Sequence, residues 1–91
     1  MNRITVTMSG TVEPIDSYEL RRQLAPLTTT IRPNIVVDLA DVVELHPSAL
    51  SVLIRERRQA QRQGGSLHLV APTAPDAKRA VDRVGLLRAS P

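Results

Sequence analysis

The chain has 91 residues, a formal net charge of +3 and no cysteine, which excludes disulfides and thiolate metal ligands. Its length corresponds to one domain, residues 1–91, and its core must be built from Leu, Ile, Val and Ala because Tyr18 is the only aromatic residue. No apolar run approaches the ~20 residues that span a bilayer, and no signal-peptide pattern opens the chain. We therefore expect a cytoplasmic protein without a membrane partner.

The first residues predict two short strands. Residues 4–8 alternate apolar and polar side chains, as in a strand with one covered face. The Ser-Gly pair at 9–10 should break this strand, and residues 11–13 should form a second short one before Pro14.

A helix should follow, running to about Leu27. Asp16 or Ser17 can cap its N-terminus, and leucines recur at i, i+4 and i+7 along one face. Pro26 should end or distort the last turn.

The middle of the chain predicts a strand, a short crossing segment and a long helix. Residues 35–39 form a β-branched run typical of a central strand buried on both faces. After the crossing, a helix should begin at Pro47 and continue to about Gln63, where Gly64 and Gly65 terminate it. Its buried side should comprise Ala49, Leu50, Leu53, Ile54 and Ala60.

Residues 66–70 predict another core strand, and Asp76 opens a last helix that Gly85 stops. Leu86 and Leu87 should pack back on the core. Strands alternating with helices indicate an α/β fold: a single small domain with a mostly parallel central sheet of about four strands, covered by three or more helices.

The positive charge is concentrated on the long helix, where Arg55, Arg58 and Arg62 share the wet side. Such a row could follow nucleic-acid phosphates, and salt-dependent binding to generic DNA would reveal it. Aromatic stacking residues are missing, however, and a solvated helix face is the simpler interpretation. We expect no direct nucleic-acid partner.

Catalytic motifs are absent from the sequence. It has no Walker loop, no G-x-G-x-x-G and no G-x-S-x-G, and His46 and His68 are not at metal-ligand spacing. A triad of Ser48 and His46 with Asp16 or Asp38 is conceivable, but two residues across a helix start do not by themselves aim an imidazole at a hydroxyl. We expect no enzyme, no catalytic residue, no cofactor and no metal.

Ser48 lies in the first turn of the predicted long helix, directly after Pro47. Backbone N–H groups are unpaired there and the helix dipole is positive, so a phosphate on this serine costs little. The simpler interpretation is a helix-start residue that satisfies one of those N–H groups.

The order of motifs resembles the sulfate-transporter and anti-sigma-factor-antagonist (STAS) domain, and more narrowly the bacterial anti-sigma factor antagonists. Gly10 to Asp16 is a looser form of the family's Gly-x-hydrophobic-Asp element, and residues 36–39 match its strand ending in Asp-Leu. Residues 46–50 align with the family's Asp-Ser-Ser/Ala-Gly-Leu hallmark, and Gly85-Leu86 closes the last helix as in the family.

The resemblance implies a partner-switching protein in which Ser48 accepts a phosphate. Its partner would be an anti-sigma factor of the serine kinase/ATPase type, which binds the ATP, and a phosphatase would reset the cycle. The protein itself would be a monomer or weak dimer. The partner-binding residues implied by the alignment are Asp16, His46, Pro47, Ala49, Ser51 and Arg55.

This sequence departs from the hallmark at three positions: His46 replaces the usual Asp, Pro47 the first Ser, and Ala49 the Gly. The acceptor hydroxyl is retained. The alternative is a STAS-type non-catalytic binding module in a transporter or signalling-scaffold complex, which needs no serine switch.

Overall fold

A computed structural model describes residues 3–86 as a layer of three strands packed against three helices. The predicted α/β class is confirmed. The elements in chain order are β1 (Ile4–Val12), α1 (Pro14–Thr28), β2 (Asn34–Leu45), α2 (Pro47–Arg62), β3 (Ser66–Val70) and α3 (Pro75–Arg83).

The sheet is parallel throughout its described part, in the order β1-β2-β3. Both crossovers therefore move in the same direction, and right-handed connections then place α1 and α2 on the same face of the sheet. The two helices pack against each other along this face, and α3 packs against β2. The N-termini of α1 and α2 consequently lie at the same edge, beyond the C-terminal ends of β1 and β2.

The expectation that β2 is buried on both faces is wrong. Ile35, Val37 and Leu39 are almost completely buried, whereas the alternating Val36 and Asp38 are only half-buried. The strand order explains why alternate residues of β2 differ in burial. It places the helices on one face of the sheet, so the other face is left open. A β-branched run reports strand propensity and does not report how many faces are covered.

The predicted fourth strand is also wrong, because the Ser-Gly pair does not break β1. Gly10 adopts φ +68, and the register against β2 shifts between Thr7 and Ser9 and again between Gly10 and Thr11. Such bulges bend a strand without ending its pairing. The predicted crossing segment is likewise the second half of β2, with Leu45 still paired to Val12.

Helix α1 begins earlier than expected. Glu13 is its N-cap, Pro14 is the first helical residue, and Asp16 accepts a hydrogen bond from the Glu13 N–H at 2.9 Å. Neither Asp16 nor Ser17 is therefore the cap. As predicted, Pro26 lies in the last turn of the helix, which ends two residues later at Thr28.

Helix α2 spans the predicted residues and ends in a Schellman motif. The Gly65 N–H donates to the Ala60 carbonyl at 3.0 Å and the Gly64 N–H to the Gln61 carbonyl at 3.0 Å, with Gly64 at φ +77. A Cβ at position 65 would overlap the backbone of Pro33, so the end of α2 approaches the start of β2 closely.

The core is one apolar cluster between the sheet and the helices. Helix α3 starts at Pro75, one residue before the predicted start, and Gly85 at φ +76 ends it. Leu86 then packs into the core with 5% of its surface exposed, as expected, while Leu87 lies outside the described residues. The buried apolar residues are Val12, Leu20, Leu24, Ile35, Val37, Leu39, Val42, Ala49, Leu53, Ala60, Leu67, Ala77, Val81 and Leu86.

Candidate functional site: the N-termini of α1 and α2

Ser48 is the second residue of α2, at the edge of the sheet where β2 ends. His46 is the N-cap in an extended conformation (φ −64, ψ 142), and Pro47 occupies the first helical position. Proline suits that position because its fixed φ matches the helix and its missing N–H would have no partner there. Pro47 thus places the Ser48 hydroxyl in the first turn, half-buried.

The His46 imidazole closes over this turn. Its Nδ1 accepts a hydrogen bond from the Ser48 backbone N–H at 3.1 Å and lies 2.8 Å from the Ser48 Oγ. A nitrogen that accepts from an amide carries no proton, so the neutral ring is protonated at Nε2. His46 therefore replaces the carboxylate or hydroxyl that usually caps a helix.

Ser17 is the second contact of the Ser48 hydroxyl, although 31 positions separate the two residues. The two Oγ atoms are 2.8 Å apart, and the Ser17 hydroxyl donates to the Glu13 carbonyl at 3.2 Å. Ser17 is only 2% exposed. The Ser48 hydroxyl donates to the Ser17 Oγ, and this hydrogen bond links the first turns of α1 and α2.

The structure brings the His46 Nδ1 within hydrogen-bond distance of the Ser48 Oγ, which the spacing alone did not establish, yet a triad is not assembled. No carboxylate in residues 3–86 is hydrogen-bonded to the imidazole. Asp16 instead accepts from the Glu13 N–H, and Asp38 accepts from the Ala40 N–H at 2.9 Å. The group that would orient the imidazole as a general base is missing from the described contacts.

The residues expected to bind a partner divide by exposure. Pro47, Ser51 and Arg55 are exposed along α2, and Asp16 is half-buried beside Ser17. Ala49 is fully buried in the core, so its side chain offers no surface to a partner. His46, the sixth residue, is exposed at the end of the helix.

Two exposed apolar residues near the site were not identified from the sequence. Ile15 and Tyr18 lie on the first turns of α1, on either side of Asp16 and Ser17, and are 69% and 60% exposed. The exposure of Tyr18 could have been predicted, because it is the only aromatic residue and lies outside the leucine stripe. The contact of Ser17 with Ser48 could not, since the two residues are 31 positions apart in the sequence.

In the part of the chain that the structure describes, no group of three or more His, Cys, Asp and Glu side chains could hold a metal ion. None of its helices is long and apolar enough to cross a membrane.

A three-stranded parallel sheet with helices on one face, and a serine in the first turn of the second helix, define a small domain of the α/β class. The family model described as "Mlab, STAS domain" matches residues 1–88, so the chain belongs to the STAS-domain family. STAS domains are generally non-catalytic binding modules, and the family includes anti-sigma factor antagonists. No curated protein matches the chain.

Proposed function

We propose that this protein is an anti-sigma factor antagonist, switched by phosphorylation of Ser48. The unphosphorylated form binds an anti-sigma factor of the serine kinase/ATPase type and releases the sigma factor. The observation that carries the proposal is the position of the Ser48 hydroxyl, at the positive end of α2 and within 2.8 Å of both Ser17 Oγ and His46 Nδ1.

The environment of Ser48 supports both states of the switch. In the unmodified state the hydroxyl proton, donated to Ser17, holds Ser48 against α1, and the hydroxyl itself carries no charge. A phosphate removes that proton, adds about −1.5 to −2 charges and must extend away from Ser17. Backbone N–H groups of the first turn of α2 stabilise the added charge, so the phosphorylated form stays folded.

The docking surface in this proposal surrounds Ser48. Tyr18 and Ile15 supply exposed apolar area on α1, and tyrosine is among the side chains that most often dominate binding energy at interfaces. Pro47 and Ser51 supply the α2 side. A phosphate in the middle of such a surface that costs about 3–4 kcal/mol weakens binding by several hundred-fold.

Parallel pull-downs from a lysate of the native host test this proposal, with wild type, Ser48→Ala and Ser48→Glu as baits. We expect an ATPase-type anti-sigma factor on wild type and Ser48→Ala and its loss on Ser48→Glu. Thr30→Glu is the control for added charge, because Thr30 is exposed just beyond the C-terminal end of α1, whereas Ser48 lies beside its N-terminal end. Equal recovery on Ser48→Ala and Ser48→Glu would refute the switch.

A constitutive STAS-type binding module in a transporter or signalling-scaffold complex is the second candidate. It is favoured by the contacts of Ser48, whose amide and hydroxyl both already have partners inside the chain. In that case Ser48 serves the helix start alone, and the same transporter subunits or scaffold proteins are recovered on all baits.

A further inference from the structure

A cationic cleft runs between α1 and α2, away from Ser48. Arg21 borders it on α1, and Arg55 and Arg62 border it on α2. All three side chains are exposed. The remaining lining residues are Ala25, Thr28, Thr29, Glu56 and Gln59.

The guanidinium groups of the cleft are not neutralised within the described residues. Arg22 pairs with Glu19 and Arg79 pairs with Asp76, and neither of these ion pairs borders the cleft. Arg62 donates to the neutral amide oxygen of Gln59 at 3.0 Å. Among residues 3–86, the one carboxyl group that lines the cleft, that of Glu56, is bonded to Thr28 and forms no ion pair with the three arginines. Three exposed guanidinium groups without an ion-pair partner in that range fit an anionic surface on another molecule.

The spacing of these cations matches a helix. Arg55 and Arg62 are seven residues apart on the same face of α2, a rise of about 10.5 Å. Carboxylates seven residues apart on a second helix have the same separation. Arg21 faces them across the cleft from α1, so a helix lying between α1 and α2 would meet guanidinium groups on both sides.

The floor of the cleft argues against a compact phosphate ligand. Glu56 is 4% exposed, and its Oε2 accepts a hydrogen bond from the Thr28 hydroxyl at 2.6 Å. A carboxyl group on the floor disfavours a multiply charged phosphate pressed between the arginines. Carboxylates of a partner helix that lie along the rim of the cleft can pair with the arginines without approaching the Glu56 carboxyl on its floor.

We propose that the α1–α2 cleft binds an acidic helix of a protein partner through Arg21, Arg55 and Arg62. This site is separate from the switch at Ser48 and does not depend on phosphorylation. It adds a second contact to the docking surface, one that selects partners by charge.

Fluorescence anisotropy with the purified full chain tests the proposal. The probe is a labelled Ala-rich helical peptide of about 21 residues, about 31 Å long, with Glu at every seventh position. A peptide with Gln at those positions is its control. Because exposed ion pairs are individually weak, we expect Arg55→Gln to weaken binding of the Glu peptide about 2- to 5-fold and Arg55→Gln/Arg62→Gln about 10-fold.

Arg58→Gln is the matched protein control, since Arg58 is exposed on α2 outside the cleft and loses the same charge. It should leave binding almost unchanged. Equal weakening by Arg58→Gln and Arg55→Gln, or equal binding of the Glu and Gln peptides, would overturn the proposal. So would tighter binding to duplex DNA or to phosphatidylglycerol vesicles than to the Glu peptide. None of these measurements uses the kinase, so their failure leaves the Ser48 switch to be judged by the pull-downs.

Discussion

His46 shows how one substitution in a motif can preserve the local geometry by other atoms. The family's hallmark has Asp at this position, where a carboxylate oxygen can accept from the first turn of the helix. In this chain the imidazole Nδ1 accepts from the Ser48 N–H instead. The helix start is retained, and the negative charge beside the Ser48 hydroxyl is replaced by a ring that contacts it at 2.8 Å.

Two substitutions of His46 should distinguish the stability that comes from capping α2 from the stability that comes from other contacts of the imidazole ring. His46→Ala removes the acceptor and should lower the free energy of unfolding by about 1 kcal/mol, whereas His46→Asn keeps a capping oxygen and should lower it much less. Urea denaturation measures both values. Similar losses in the two variants would contradict a capping role for His46.

Gly65 is required for a reason different from that of its neighbour Gly64. Gly64 has φ +77 and space around its Cα, so Gly64→Ala should cost about 1 kcal/mol of backbone strain. A Cβ on Gly65 overlaps the Pro33 backbone, and Gly65→Ala should therefore cost about 3 kcal/mol because α2 must shift from β2. Thermal unfolding compares the two, and equal losses would show that the close approach is not rigid.

Helices α1 and α2 are joined by a buried polar contact as well as by leucines. Thr28 is fully buried and donates to Glu56, which is 4% exposed, across the interface. The contact satisfies a carboxyl group that would otherwise be costly to bury. With Ser17 and Ser48 at the other end, hydrogen bonds fix the relative position of the two helices at both ends of their interface.

Removing the Thr28 hydroxyl should reveal the strength of this contact. Thr28→Val leaves the Glu56 carboxyl without its donor and should destabilise the fold by about 1–3 kcal/mol. Thr29→Val is the matched control, because the exposed Thr29 hydroxyl contacts only carbonyls of its own helix. Guanidinium denaturation should show a clearly smaller loss for Thr29→Val; the reverse order would rule out this role for Thr28.

The whole molecule is a sheet with helices packed on one face. Parallel sheets are usually covered on both faces, whereas here the face that carries Val36 and Asp38 is only half-buried. Its exposed neighbours on the edge strands are Thr5 and His68, which pair with Val36. The open face is therefore largely polar at its edges, as a solvated surface should be.

Adjacent residues of β2 test this asymmetry. Val37 is completely buried and Val36 is half-buried, and threonine has nearly the shape of valine. Val37→Thr buries a hydroxyl in the core and should cost about 1–3 kcal/mol, whereas Val36→Thr should cost less than about 0.5 kcal/mol. Urea denaturation of both variants gives the comparison; equal costs would mean that both faces are covered in solution.

Patterns within a few residues predicted the elements well. The bounds of α2 and β3, the buried leucines of α1 and the α/β class all followed from periodicity, proline and glycine positions. The passage of β1 through Gly10 was not predictable, because a glycine after a strand also indicates a turn. The continuation of β1 depends on pairing with residues 41–45, which no local pattern reports.

Some features of the candidate site were likewise predictable from the local sequence, and others depend on the tertiary structure. Pro47 and Ser48 predict a helix start with a hydroxyl in its first turn, since capping and the helix dipole are local properties of the chain. The Ser17–Ser48 contact and the arginine cleft arise only when strand order brings α1 beside α2. The sequence alone therefore determined which chemical groups stand at the start of α2. Tertiary packing decided which groups of α1 meet them, because the two hydroxyls in contact are 31 positions apart.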